Sequence, residues 1–169
     1  MHEISDSGLE NWHDYRVESR KEIIALLRNI GDKNQLVTLL VRGHSEPGVT
    51  SVLGVDADAS TVYLDCPVSS EETRRIAAAS RISFETTLDK IRILFVAENG
   101  VQLASFDGRA AFRMPIPDSL IRLQRREYYR MATPVSNPVR ALIPLPFELG
   151  GGTHNFPLAD ISCGGIAIL

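Results

Sequence analysis

Residues 81–97 read RISFETTLDKIRILFVA. The runs RISFETTL and KIRILFVA are rich in Ile, Phe, Thr, Leu and Val, with Asp89 between them. That composition around a turn residue predicts strand, turn, strand. The neighbouring stretches repeat the form. Upstream lie QLVTLLVRG, VTSVLGVD and STVYLD, separated by Pro47-Gly48 and by the turn from Asp56 to Ala59. Downstream, QLASFDGRAAFRMP adds one or two strands, with Asp107-Gly108 as a hairpin or bulge signal. Five to seven short strands at this close spacing predict a small antiparallel barrel.

Two helices accompany the strands. Ser19-Arg20-Lys21-Glu22 has the S-x-x-E form, in which serine accepts an amide of the first turn and glutamate reaches back. Ile23, Ile24, Leu26, Leu27 and Ile30 then give one apolar helical face, which Gly31 is expected to end. Ser69-Ser70-Glu71-Glu72 repeats the box and opens a short helix through about Ala79, burying Ile76 against the sheet.

The 169 residues suit one large domain or two small ones, and an apolar fraction of 44% supports a core. No window approaches the apolar length that spans a bilayer. The N-terminal MHEISDSGLENWHDYR lacks the basic and apolar regions of a signal peptide, so a soluble cytoplasmic protein is expected. Cys66 and Cys163 are expected to be two buried thiols rather than a disulfide. His2, His13, His44 and His154 show no metal-ligand spacing, and no metal site is expected.

Met114-Pro115-Ile116-Pro117-Asp118-Ser119 interrupts the strand pattern, because prolines two apart forbid regular structure. This places a domain boundary. Residues 1–18 are expected to be a flexible arm that Trp12 and Tyr15 tack down, and residues 19–115 the first barrel. Residues 116–130 are expected to be a linker, with one helical turn at SLIRLQ, and residues 131–169 the second domain. The whole is mainly β: two small antiparallel β-barrel domains joined by a short linker containing Pro and Arg. Only four residues follow Gly165, so the second barrel is expected to be incomplete in this chain.

The linker ends in QRREYYR, residues 124–130, the densest positive charge in a chain of net charge -3. Arg125, Arg126 and Arg130 offer planar paired donors that match phosphate oxygens or the O6/N7 edge of guanine, and flat faces that stack on purines. Arg122 adds a fourth cation and Glu127 removes one. Such clusters are often only solvated faces, and adjacent tyrosines are often strand residues with wet hydroxyls. A second element shifts the balance. Asp160-Ile161-Ser162-Cys163-Gly164-Gly165 has the form D-x-S-x-x-G. On a strand, Asp160 and Ser162 share a face. The carboxylate can accept guanine N–H groups or brace an arginine, the hydroxyl can reach a phosphate or base edge, and the glycines allow close approach.

Arg126-x-x-x-Arg130 with Asp160-x-Ser162-x-x-Gly165 resembles the signature of PilZ domains, six-stranded barrels that bind the bacterial second messenger cyclic di-GMP. QRREYYR after a separate β-domain resembles the YcgR group of flagellar brake proteins, whose N-terminal PilZN domain the first barrel resembles. The resemblance covers the chain from about Ser19 to its end. It implies that Arg126 and Arg130 hold the phosphates and stack on guanine, and that Arg125 also contacts the ligand. It implies further that Asp160, Ser162 and Gly165 line the surface taking the guanine, with Gln124 a candidate ring contact. It implies a ligand-driven change in domain arrangement, a flagellar stator or rotor partner, and a place in the cytoplasm near the flagellar basal body. The chain is expected to be a monomer or homodimer and to use no cofactor.

Two other classes compete. A nucleic-acid or general polyanion binder could use the same arginines, but it predicts a broad basic stripe that this acidic chain lacks, so no nucleic-acid partner is expected. An enzyme, for instance a flavin-carrying split barrel, would need a nucleophile with its base, a phosphate loop or a carboxylate dyad. The sequence offers none: Gly150-Gly151-Gly152 is a turn without a following Lys-Ser/Thr, and Asp56 and Asp58 lie in a turn.

Overall fold

The computed structural model describes residues 12–169. The chain divides into two compact units, with the division between Gln124 and Arg125. The part of the expected flexible arm at residues 1–11 lies outside the described residues.

The first unit opens with a 3-10 turn at His13–Tyr15 and the two-residue strand β1 (Arg16–Val17). Helix α1 (Arg20–Asp32) begins where the capping box predicts: Ser19 Oγ accepts the Glu22 N–H at 3.4 Å. Ile23, Leu27 and Ile30 are its buried stripe. Gly31 does not end the helix. The chain leaves it at Asn34, which takes the left-handed conformation at φ 50° and donates its N–H to Gly31 O. Gly31 has a packing reason instead, since a Cβ there would lie 3.0 Å from Val52 O, so the helix sits close on a strand.

Strands β2 (Leu36–Val41), β3 (Gly48–Asp56) and β4 (Thr61–Asp65) follow, then α2 (Ser70–Ala77), capped by Ser69 and burying Ile76. Next come β5 (Ile82–Leu88), β6 (Ile91–Ala97), β7 (Gln102–Phe106), β8 (Arg109–Pro115) and β9 (Leu120–Leu123). Asp89 and Lys90 both have positive φ between the paired Leu88 and Ile91, as do Asp107 and Gly108 between Phe106 and Arg109. These are two-residue hairpin turns whose twist suits the flanking strands.

All nine strands pair antiparallel in the order β1-β9-β6-β5-β2-β3-β4-β8-β7. β8 and β9 are six places apart in this order. In a flat sheet that separation is about 29 Å. The connection from Pro115 to Leu120 reaches at most about 18 Å. The sheet must therefore curl on itself into a barrel with a seam. One core fills it, from Ile23 and Leu27 of α1 to Phe84, Phe95 and Phe112 of the strands, with Phe84 and Phe95 stacked at 4.9 Å.

Two expectations are corrected here. SLIRLQ forms no helical turn and residues 116–123 are not linker: β9 lies between β1 and β6. Leu120 faces the main core, while Ile121 and Leu123 face a small cluster with Leu94, Trp12 and Tyr15. A short strand apolar on both faces shows no two-residue period. Residues 12–17 are likewise part of the fold rather than of a flexible arm, through β1, while Trp12 and Tyr15 tack the segment onto that cluster as expected.

The second unit has four strands: β10 (Met131–Ala132), β11 (Arg140–Pro144), β12 (Thr153–Ser162) and β13 (Gly165–Ile168). β12 pairs antiparallel with each of the other three. Gly150, Gly151 and Gly152 all have positive φ and turn the chain between β11 and β12. Leu158 is the buried apolar residue of this unit, while Leu142, Phe147 and Leu169 are exposed. The expectation of two buried thiols fails: Cys66 is half-buried and Cys163 exposed, both as free cysteines, because Cys163 sits in the turn after β12.

Candidate ligand site

Residues 125–130 carry neither helix nor strand, and the ladder starts at Met131. Register then does the placing. Met131 pairs with Ile161 and Ala132 with Asp160, so the end of the R-x-x-x-R stretch arrives beside the D-x-S segment. Thr133 secures this join by donating its backbone N–H to Ala159 O at 3.1 Å and its hydroxyl to Leu158 O. On the other edge Asp160 pairs with Ala167 and Ser162 with Gly165. The partners of Asp160 on both sides are alanines, which leave its carboxylate uncrowded.

The result is an open depression of about 380 Å³ within the second unit. Arg125, Arg126, Arg130, Asp160, Ser162 and Gly165 all line it. Gln124 does not; it is the last residue of the first unit, with its N–H donated to Arg122 O. Arg130 Nη1 stands 4.0 Å from Asp160 Oδ2, both partly exposed. A pair at that distance in water contributes little stability, and it leaves the remaining guanidinium donors open to a ligand. Ser162 Oγ donates to Gly165 O at 3.2 Å and closes the β12–β13 turn. Gly165 has φ +155° and nothing within 4 Å of where a Cβ would project, so the surface over it is bare. Three arginines against Glu127 and Asp160 leave the lining with an excess of one positive charge. Its chemistry suits an anion with flat rings: fork-shaped donors, the carboxylates of Glu127 and Asp160, the hydroxyls of Tyr128 and Ser162, and exposed backbone.

Five lining residues were not among the predicted ligand contacts: Glu127, Tyr128, Gly164, Ile166 and Ala167. Tyr128 and Gly164 both line the depression, and the tyrosine ring lies against the glycine. The adjacent tyrosines, Tyr128 and Tyr129, carried no signal to tell an inward ring from an exposed one. Among the described residues, no three His, Cys, Asp or Glu side chains gather to hold a metal ion, and no helix is long and apolar enough to cross a membrane.

Comparison with known proteins gives this site a context. Residues 15–122 match the family described as flagellar regulator YcgR, PilZN domain. The chain belongs to the YcgR family. That family is one of flagellar regulators, not of enzymes. The flagellar brake protein YcgR of Janthinobacterium sp. (strain Marseille) is 37% identical over 171 residues, covering 98% of this chain and 66% of that protein. The YcgR of Thiobacillus denitrificans is 36% identical, over 91% of this chain and 60% of that protein. The chain thus spans a little under two thirds of these relatives. Among solved structures, YcgR from Escherichia coli in complex with c-di-GMP shares the fold, with TM-score 0.64 and 21% identity over 94% of this chain and 66% of that one. The separate YcgR-N domain from the same organism has TM-score 0.59 and 14% identity, over 66% of this chain and 96% of that one.

Proposed function

We propose that this chain is a non-enzymatic receptor for cyclic di-GMP that regulates flagellar motility, with its ligand in the depression of the second unit. The observation that carries the reading is the gathering of Arg125, Arg126 and Arg130 with Asp160, Ser162 and Gly165 around one open surface. In this reading the guanidinium groups of Arg126 and Arg130 take the phosphates and stack on guanine, and Arg125 adds a further donor. Asp160 accepts N1–H and N2–H of one guanine, and Gly165 lets the base approach the backbone. The brake name of the relatives and the c-di-GMP complex of the Escherichia coli YcgR support this reading.

The residues of the R-x-x-x-R stretch follow directly on the first unit. A dianion bound at this stretch, the segment next to the first unit, favours one arrangement of the two units over others, by as much as its affinity differs between them. The output is then a contact with a stator or rotor protein of the flagellar motor, made in the cytoplasm at the basal body.

Isothermal titration of the chain with cyclic di-GMP, with GTP as control, tests the reading. Saturable binding of cyclic di-GMP, lost in Arg126→Glu and absent with GTP, is the expected result. Binding that lacks guanine preference and falls steeply with salt would instead favour a general polyanion surface.

A further inference from the structure

We infer that Tyr128 is a positioning residue that holds the arginine stretch on the β12–β13 hairpin, and that Gly164 is its seat. The inference rests on the ligand reading above and deepens it.

Tyr128 stands midway between Arg126 and Arg130, and all three line the depression. Its neighbour Tyr129 does not, and is 87% exposed. A Cβ built on Gly164 would fall 2.8 Å from Cδ2 and 3.2 Å from Cε2 of Tyr128. The ring therefore lies against a bare Cα, closer than any side chain there would permit.

The two glycines of the hairpin differ in why they are glycine. Gly165 has φ +155° and open space where a side chain would go, so its backbone favours glycine. Gly164 is not among the positive-φ residues, so its backbone suits any residue. What a side chain at 164 would meet is the tyrosine ring, which would have to shift.

The consequence falls on the arginines. Arg130 is adjacent to the ladder that begins at Met131, and it faces Asp160. Arg126 is four residues further from the ladder. The Tyr128 ring on Gly164 joins the stretch to the hairpin between the two arginines. With that contact the two guanidinium groups are set at a fixed spacing before the ligand arrives, and affinity gains by that preorganisation.

Four variants of the full chain test this by cyclic di-GMP titration. Tyr128→Phe keeps the ring and is expected to bind within about twofold of wild type. Tyr128→Leu and Gly164→Ala are each expected to weaken binding about tenfold, since a displaced contact group is costly even at small shifts. The double variant Tyr128→Leu with Gly164→Ala is expected to be no weaker than either single one, because the ring that the new methyl meets is gone. Additive losses near a hundredfold, or a loss in Tyr128→Phe equal to that in Tyr128→Leu, would overturn the inference. A readout without ligand separates it from the reading it rests on. The Gly164 Hα resonances should be displaced by the ring current in wild type and Tyr128→Phe, and should return in Tyr128→Leu. Failure of wild type to bind cyclic di-GMP sinks the ligand reading, while an undisplaced Gly164 resonance sinks the positioning role whatever the ligand does.

Discussion

Strand β6 buries Ile93, Leu94, Phe95 and Ala97 within seven residues, whereas β12, ten residues long, buries Leu158 alone. The two strands are central to their units, and each is paired on both edges for part of its length. They differ in what covers their faces. In the first unit a curled sheet and α1 enclose one core, so burial of apolar side chains supplies the stability. In the second, over the length this chain spans, Leu158 is the buried apolar side chain and most others are exposed or half-buried. The residues that would take a ligand are on the wet unit. Sites that must admit or release a partner are commonly drawn from the less stable part of a fold.

Core truncation should separate the units most sharply. Phe112→Ala in β8 removes a ring that is 1% exposed and should destabilise the first unit by about 3–5 kcal/mol. Leu142→Ala in β11, at a side chain 72% exposed, should stay within about 0.5 kcal/mol. Urea titrations followed by amide exchange in each unit measure both, and equal losses would break the comparison.

A smaller effect is expected at Gly54. A Cβ there would lie 2.6 Å from Cζ of Phe106, whose ring also meets Tyr63 at 5.1 Å. Gly54→Ala should cost about 1–3 kcal/mol by overpacking. The added change Phe106→Leu should return part of it in thermal melts, and an unaffected melting temperature would mean the ring moves aside freely.

The smallest effect is chemical and leaves the fold intact. Burial pushes the Cys66 thiol up, and the charge of Asp65 adds to the shift. Less thiolate forms at neutral pH, so Cys66 should alkylate more slowly than the exposed Cys163 and should gain rate as pH rises. Mass spectrometry of partly labelled protein reads the order, and faster labelling of Cys66 would contradict the burial.

Much of this was legible in the sequence because local chemistry matches the global fold at those places. Ser19 and Ser69 cap helices where their motifs sit, and Asp107-Gly108 turns the hairpin its dipeptide announces. Strand β9 was not legible. Its Leu120, Ile121 and Leu123 are buried on both faces by partners distant in sequence, and that leaves no period to find. The helix end at Asp32, with the left-handed turn at Asn34 rather than at Gly31, was hidden for a similar reason, since Gly31 answers to Val52 across the fold. In the site, the arginines and the D-x-S-x-x-G residues were visible as types. The meeting of Tyr128 with Gly164 was not, because it depends on the register of β10 and β13 against β12.

The place of β9 also sets a timetable. It is the last strand of the first unit to leave the ribosome, yet it is second in the sheet, between β1 and β6. β1 emerges early and, among the described residues, pairs with β9 alone. At synthesis rates of roughly 5–20 residues per second, it waits several seconds for the hundred or so residues between them. During that interval Trp12 and Tyr15 lack Ile121 and Leu123, and the outward edge of β6 is uncovered. The nascent chain is therefore most exposed to mispairing, or to capture by a chaperone, just before its first domain closes.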